Sequence, residues 1–145
     1  MTIMKVLLLN GSPRKEGCTY TALTEIAETL KKNGVEAEIF QAGDPSQENV
    51  AAAAVASARR AGTTATLDVL IKYFTYHQMP VVSGNYWTMV HGNTPDDVRK
   101  DAEGLQIMRT LGNNMAWLLK CIEAGKKAGI DAPETEQKIM TNFIR

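Results

Sequence analysis

Asn10-Gly11-Ser12-Pro13-Arg14-Lys15-Glu16-Gly17-Cys18-Thr19 is the stretch that decides the fold. Before it, residues 4–9 form a short, unbroken apolar run, the pattern of a strand buried on both faces in a parallel sheet. After it, Leu23, Ile26, Ala27 and Leu30 recur at helical spacing between Thr19 and Lys32, and Asn33-Gly34 supplies a left-handed stop. Val35, Ala37 and Ile39 then alternate with Glu36 and Glu38, so residues 35–40 read as a strand with one wetter face. The first forty residues are therefore strand, loop, helix and strand, with the Gly/Ser/Pro/Arg/Lys loop at the junction where a strand feeds a helix N-terminus.

That junction suits an anion. The first-turn N–H groups of a helix are unpaired and point outward, and the helix dipole adds positive potential. Ser12 and Thr19 add hydroxyl donors beside Arg14 and Lys15. Gly11 and Gly17 let the backbone approach closely, and Pro13 stiffens the turn. A phosphate monoester fits this inventory. No Gly-Lys-Ser/Thr closes the loop and no GxGxxG is present, which argues against a nucleoside triphosphate and the usual dinucleotide fingerprint. The competing reading of the loop alone is a solvated strand-to-helix turn.

The remaining pattern continues the alternation. Segment 41–62 supports two readings: a helix starting near Asp44-Pro45, running through Ala51–Ala54 and ending at Gly62, or a buried small-residue strand over 51–56 followed by a loop. Local propensity favours the helix. Leu67, Leu70, Ile71 and Phe74 predict a helix over 66–77, and Met79–Ser83 reads as another short buried strand. Thr94-Pro95-Asp96-Asp97 is a strong helix start, opening a long helical region in which Leu105, Met108, Met115, Leu118, Leu119 and Ile122 line one face. Gly104 and Gly112 are candidate breaks or close-packing points within it. From about residue 128 the chain reads as a tail.

The 145 residues make one domain by the usual length prior, and 44% apolar with 22% charged residues is ordinary globular composition. Sixteen basic against sixteen acidic residues give a formal net charge of zero, so no bulk field favours nucleic acid or an anionic membrane. Cys18 and Cys121 show no CxxC or ligand spacing, which points to reduced thiols rather than a disulfide framework or a structural zinc. A thiol at a helix N-terminus beside Arg14 and Lys15 is also a candidate for redox reactivity, although a backbone contact from Cys18 is the simpler reading. His77 and His91 lack partners at ligand spacing, so no metal site is expected, and no GxSxG elbow supports hydrolase chemistry. The first apolar run is too short to span a membrane and has no cleavage region behind it, so a cytoplasmic location is expected.

Gly11-Ser12-Pro13-Arg14 with Gly17 and Thr19 resembles the phosphate loop of the flavodoxin-like NAD(P)H-dependent FMN reductases and their iron-sulfur flavoprotein relatives. Ala54–Thr64 and Tyr86-Trp87-Thr88-Met89-Val90-His91-Gly92 are similar to later segments of that family. The resemblance implies an α/β fold, a flavodoxin-like open parallel sheet with helices on both faces, and FMN at the carboxyl ends of the strands. It implies that Ser12, Arg14, Gly17, Cys18 and Thr19 hold the phosphate. Ser57, Arg59, Arg60, Gly62 and Thr63, in the stretch 57–64, would approach the isoalloxazine ring, with an arginine offsetting negative charge on reduced flavin. Cys18 stands where an asparagine is common in the family, which leaves its backbone N–H as the contact. The resemblance also turns 51–56 into a core strand. It implies an oxidoreductase passing electrons or hydride from NAD(P)H through flavin, with no catalytic side chain. A flavin carrier, or a phosphate-binding remnant without flavin, is the alternative.

Four strands are legible, at 4–9, 35–40, 51–56 and 80–83, where a flavodoxin-like sheet has five. The family's third strand-and-helix unit, beside the first strand, has no counterpart: only Gln41–Val50 fills its place, and its Ser-Pro-Val-Tyr-type loop and CxxC cysteines are absent. Three explanations are open: residues omitted from the sequence, a shortened gene product, or a rewired chain in which the first strand pairs directly with 51–56. Ten extended residues reach roughly 33 Å, enough for the direct connection. The intact flanks favour omitted residues, which an intact mass of 15.9 kDa would exclude. Tyr86, Trp87 and Met89 read either as core or as neighbours of flavin or nicotinamide. Met108, Met115 and Trp117 on the long helix suggest a homodimer or larger homo-oligomer.

Overall fold

The computed structural model describes residues 5–10, 16–41, 51–134, 136, 137 and 139–143. Their order is β1 (Lys5–Asn10), α1 (Cys18–Lys32), β2 (Glu36–Gln41), β3 (Ala56–Ala58), α2 (Thr63–Tyr76), β4 (Met89–His91), α3 (Pro95–Lys100) and α4 (Ala102–Lys127). The class is α/β, as the sequence implies.

The first crossover forms as its pattern dictates. β1 and β2 pair in parallel, with Lys5 opposite Glu36 and Asn10 opposite Gln41. Between them α1 buries Ala22, Leu23, Ile26 and Leu30. It stops at Gly34, whose φ of +74° disfavours any side chain. There the N–H of Gly34 reaches the Lys31 carbonyl and that of Val35 the Leu30 carbonyl, each at 3.0 Å, a Schellman closure.

The alanine-rich segment is extended, not helical. Ala52 bridges Val81 in parallel, and β3 pairs in parallel with β4, Ala56 opposite Met89 and Ala58 opposite His91. Burial overrides alanine's helix propensity here: Ala52, Ala54 and Ala56 are buried. On one face Ala54 and Ala56 pack with Leu67, Leu70, Ile71 and Phe74 of α2. On the other, Ala53 and Val55 join the main core, where Leu8, Ile26, Leu30, Val90, Met108 and Leu111 meet. Helices thus cover both faces of the β3–β4 pair.

Several expectations need correction. The strand expected at 51–56 is a bridge at Ala52 followed by a ladder over 56–58, and the one expected at 80–83 is a single bridge at Val81. Its continuation is Met89–His91, because Ser83–Thr88 leaves the sheet and returns. That excursion is held by tertiary bonds: the buried Thr88 hydroxyl donates to the Ala54 carbonyl at 2.6 Å, and the Asn114 amide donates to the Ser83 carbonyl at 2.8 Å. Direct pairing of β1 with the alanine strand does not occur among the described residues. Residues 42–50, where the sequence shows no counterpart of a third strand-and-helix unit, lie outside the described residues. The long helical region breaks at Asp101 rather than at a glycine. Met108 and Met115 are buried within the chain against α1, which removes them as subunit contacts, whereas Trp117 is 66% exposed.

α3 begins with a complete capping box. The Thr94 hydroxyl accepts from the Asp97 N–H at 3.2 Å, and the Asp97 carboxylate accepts from the Thr94 and Asn93 N–H groups at 3.0 and 3.2 Å. The Thr94 side chain foremost, then these backbone donors, hold the Asp97 carboxyl below the usual carboxylate range. Because the folded value is the lowered one, the stabilisation is complete above the ordinary aspartate value of about 3.9 and is lost as pH falls through the folded value. Unfolding midpoints measured across that acid window should fall less steeply for Asp97→Asn than for the native chain. Parallel acid limbs would show that the box contributes nothing.

Candidate functional site at the carboxyl ends of the strands

Four helix N-termini are described, and they divide into two kinds. α3 and α4 are capped by their own side chains, Thr94 for α3 and Asp101 for α4, and each has acidic residues in its first turn. α1 and α2 start on glycines, Gly17 and Gly62, with no side-chain cap and no acidic residue in the first turn. Gly62 sits at φ +97°, where a side chain is strained, so the turn from β3 into α2 depends on glycine. The two glycine-started helices follow β1 and β3, at the carboxyl ends of the parallel strands. Their N–H groups and positive dipole ends are left for something outside the helix.

Side chains draw these turns together. The Thr19 and Ser57 hydroxyls lie 3.0 Å apart, joining the first turn of α1 to β3. The Cys18 thiol donates to the Gly92 carbonyl at 3.5 Å, joining the same turn to the residue after β4. The Thr63 hydroxyl donates to the Met89 sulfur at 2.9 Å, tying the start of α2 to β4. Three strand-end turns thus meet around the α1 N-terminus. Gly92 also packs tightly on α3, since a Cβ there would lie 2.8 Å from the Val98 nitrogen.

Of the expected site residues, the structure brings Gly17, Cys18, Thr19 and Ser57 to one point. Gly62 and Thr63 stand on the adjoining turn, with Thr63 buried. Arg59 and Arg60 are exposed on the bend between β3 and α2, and among the described residues no carboxylate pairs with either. Ser12 and Arg14 lie outside the described residues. The Cys18 side chain has a partner that the sequence did not suggest, and its bond to Gly92 makes it a strut between turns. Tyr86 and Trp87 stand at the amino end of β4, edge to face on each other with centroids 4.5 Å apart, and Trp87 is 53% exposed. They do not join the strand-end turns.

These residues fit a phosphorylated planar cofactor such as FMN. An uncapped helix start and the Thr19–Ser57 hydroxyl pair, in which one hydroxyl donates to the other and leaves one proton to give, suit an anion, while the β3–α2 turn brings backbone N–H groups and two cationic side chains to an adjacent position. Asp101 is a supporting residue that sequence reading missed. One of its carboxylate oxygens accepts from the His91 N–H at 2.6 Å and the other from the Gly104 N–H at 2.9 Å, so it fixes the end of β4 to the start of α4.

Among the described residues no helix is long and apolar enough to cross a membrane. Searches of the curated proteins and of the solved structures find no match. Residues 4–49, which span β1, α1 and β2 and carry the Gly-Ser-Pro-Arg loop, match the family of NADPH-dependent FMN reductases.

Proposed function

We propose that this chain binds FMN at the carboxyl ends of β1, β3 and β4 and works as an NAD(P)H-dependent flavin oxidoreductase. The observation that supports it most is the convergence of two glycine-started, uncapped helices with Thr19 and Ser57, within a chain whose first third matches a flavin-reductase family. Bound flavin supplies the hydride and electron transfer, and the protein supplies binding, orientation and charge. Ser12, Arg14, Gly17, Cys18 and Thr19 would hold the phosphate, Cys18 through its backbone N–H. Ser57, Gly62 and Thr63 would shape the ring's polar edge. Arg59 and Arg60 would offset the charge of reduced flavin, and no side chain is assigned a proton transfer. The setting proposed for this work is the cytoplasm.

Titration of flavin fluorescence with FMN, and with riboflavin in parallel, tests the binding half. Saturable quenching with FMN preferred is expected, and no quenching by either would remove the flavin reading. FMN-dependent consumption of NADH or NADPH tests the catalytic half, and binding without turnover would make the protein a flavin carrier. Arg14→Ala should weaken FMN about thirtyfold, or ~2 kcal/mol for a lost charge-assisted bond, and leave riboflavin nearly unchanged. Equal losses for both ligands would move the phosphate away from this loop.

A further inference from the structure

α1, α3 and α4 pack on one another, whereas α2 packs on β3 and presents its other face outward. That outward face is apolar. Val69, Tyr73 and Tyr76 are 52%, 63% and 68% exposed, and Tyr76 also meets His77 edge to face. On the inner face Leu67, Leu70, Ile71 and Phe74 pack with Ala54 and Ala56. At about 100° per residue, Ala65, Val69, Lys72 and Tyr76 fall on the opposite line of the helix, with Tyr73 on its flank. Exposed apolar residues scattered singly need no account, but a row of them over three turns of one helix marks a contact surface.

The chemistry of the row fits a copy of itself. Asp68 and Lys72 are the only charged residues of α2, both are exposed, and among the described residues neither has an ion-pair partner. A second α2 laid antiparallel, with the twofold axis between Leu70 and Ile71, brings Asp68 of each copy beside Lys72 of the other. Both ion pairs close under one axis, as a contact between identical surfaces requires. The same axis sets Ala65 opposite Tyr76 of the second copy, a small residue against a large one. A parallel arrangement would instead set Asp68 against Asp68 and Lys72 against Lys72, which like-charge repulsion disfavours. The chain carries no net charge to oppose self-association.

We propose that two copies of this chain associate through an antiparallel α2–α2 contact, with Val69, Tyr73 and Tyr76 as its apolar part and the Asp68–Lys72 ion pairs setting its direction. The two tyrosines alone expose roughly 250 Å² per copy. The whole face of this 14-residue helix brings the total buried by both copies to roughly 1,200 Å², the lower bound of a standard interface, so the association should be reversible and depend on concentration. The proposal does not rest on the flavin reading.

Sedimentation of the full chain across a concentration series tests it. The native protein should reach twice its chain mass of 15.9 kDa at the upper end of the series. Val69→Glu/Tyr73→Glu, at two exposed positions, should keep native helix content and stay monomeric throughout. Asp68→Lys alone should weaken association at least about tenfold, because it sets two lysines together at each pair. Asp68→Lys/Lys72→Asp restores both pairs in the reverse sense and should return the association constant to within about threefold of native. A native monomer across the whole series assigns the α2 face to another partner and overturns the proposal, as does a dimer that Val69→Glu/Tyr73→Glu leaves intact. A loss from Asp68→Lys that the paired exchange does not rescue overturns the antiparallel arrangement.

Discussion

Gly112→Leu is expected to destabilise the protein by about 3 kcal/mol, the cost of forcing a branched side chain into a closed contact. A Cβ at this position would lie 2.9 Å from Thr29 Cβ, 3.0 Å from its methyl carbon and 3.3 Å from the Ile26 carbonyl. None of these is the far end of a flexible side chain, so α4 must lift from α1. Along that seam Ile107, Met108, Leu111 and Met115 are buried, and flanking bonds from Arg109 to Glu25 and from Asn33 to Asn113, each 2.9 Å, fix the register. Chemical denaturation of Gly112→Leu and of Gln106→Leu, an exposed position on the same helix, makes the comparison. The second should stay within about 0.5 kcal/mol of the native chain. Similar losses for both would mean that helix composition, and not the α1–α4 contact, sets the effect.

Asp101→Ala is expected to cost about 2–3 kcal/mol, because one carboxylate serves two backbone donors that lose their acceptor together. The consequence should extend to the site. The His91 N–H that Asp101 receives adjoins Gly92, whose carbonyl takes the Cys18 thiol at the start of α1. Asp101→Asn keeps one acceptor oxygen and puts an NH2 donor in place of the other, so it should recover the His91 or the Gly104 bond, but not both. Thermal unfolding and FMN affinity should therefore rank native, asparagine and alanine in that order. An alanine variant with native stability and native FMN affinity would show that the strap transmits nothing.

Legibility from sequence followed the range of the interactions. The first crossover was readable because its signals are local: an apolar run, a helical stripe and Asn33-Gly34 at the stop. Thr94-Pro95 announced α3 for the same reason. The alanine segment is not decided by propensity, which favours a helix, because its burial needs α1 and α4 on one face and β4 at its edge, all distant in sequence. The resemblance to a flavin-reductase family supplied that long-range information. The excursion at 83–88 escaped both routes, since the Thr88 hydroxyl finds Ala54 34 residues away. In the site, Gly17 before the first helix is visible in the loop motif, whereas Gly62 reads as a helix end or a loop position and proves to start α2, and the Cys18–Gly92 strut spans 74 residues and leaves no local trace. The helix break at Asp101 was misplaced onto glycines because the cause is a carboxylate shared with β4.

The pairing of each strand with its nearest partner in the chain order also sets how the molecule comes together. Each ladder closes within a single crossover, so contacts in each half are local and its loop-closure entropy is small. β1–α1–β2 and β3–α2–β4 are therefore able to form as separate foldons, and α4 docking across α1 makes the two cooperative. Native-state exchange should resolve them: amides of the β3–α2–β4 half, whose satellite cluster on the α2 side is small, should open at lower free energy than those of α1.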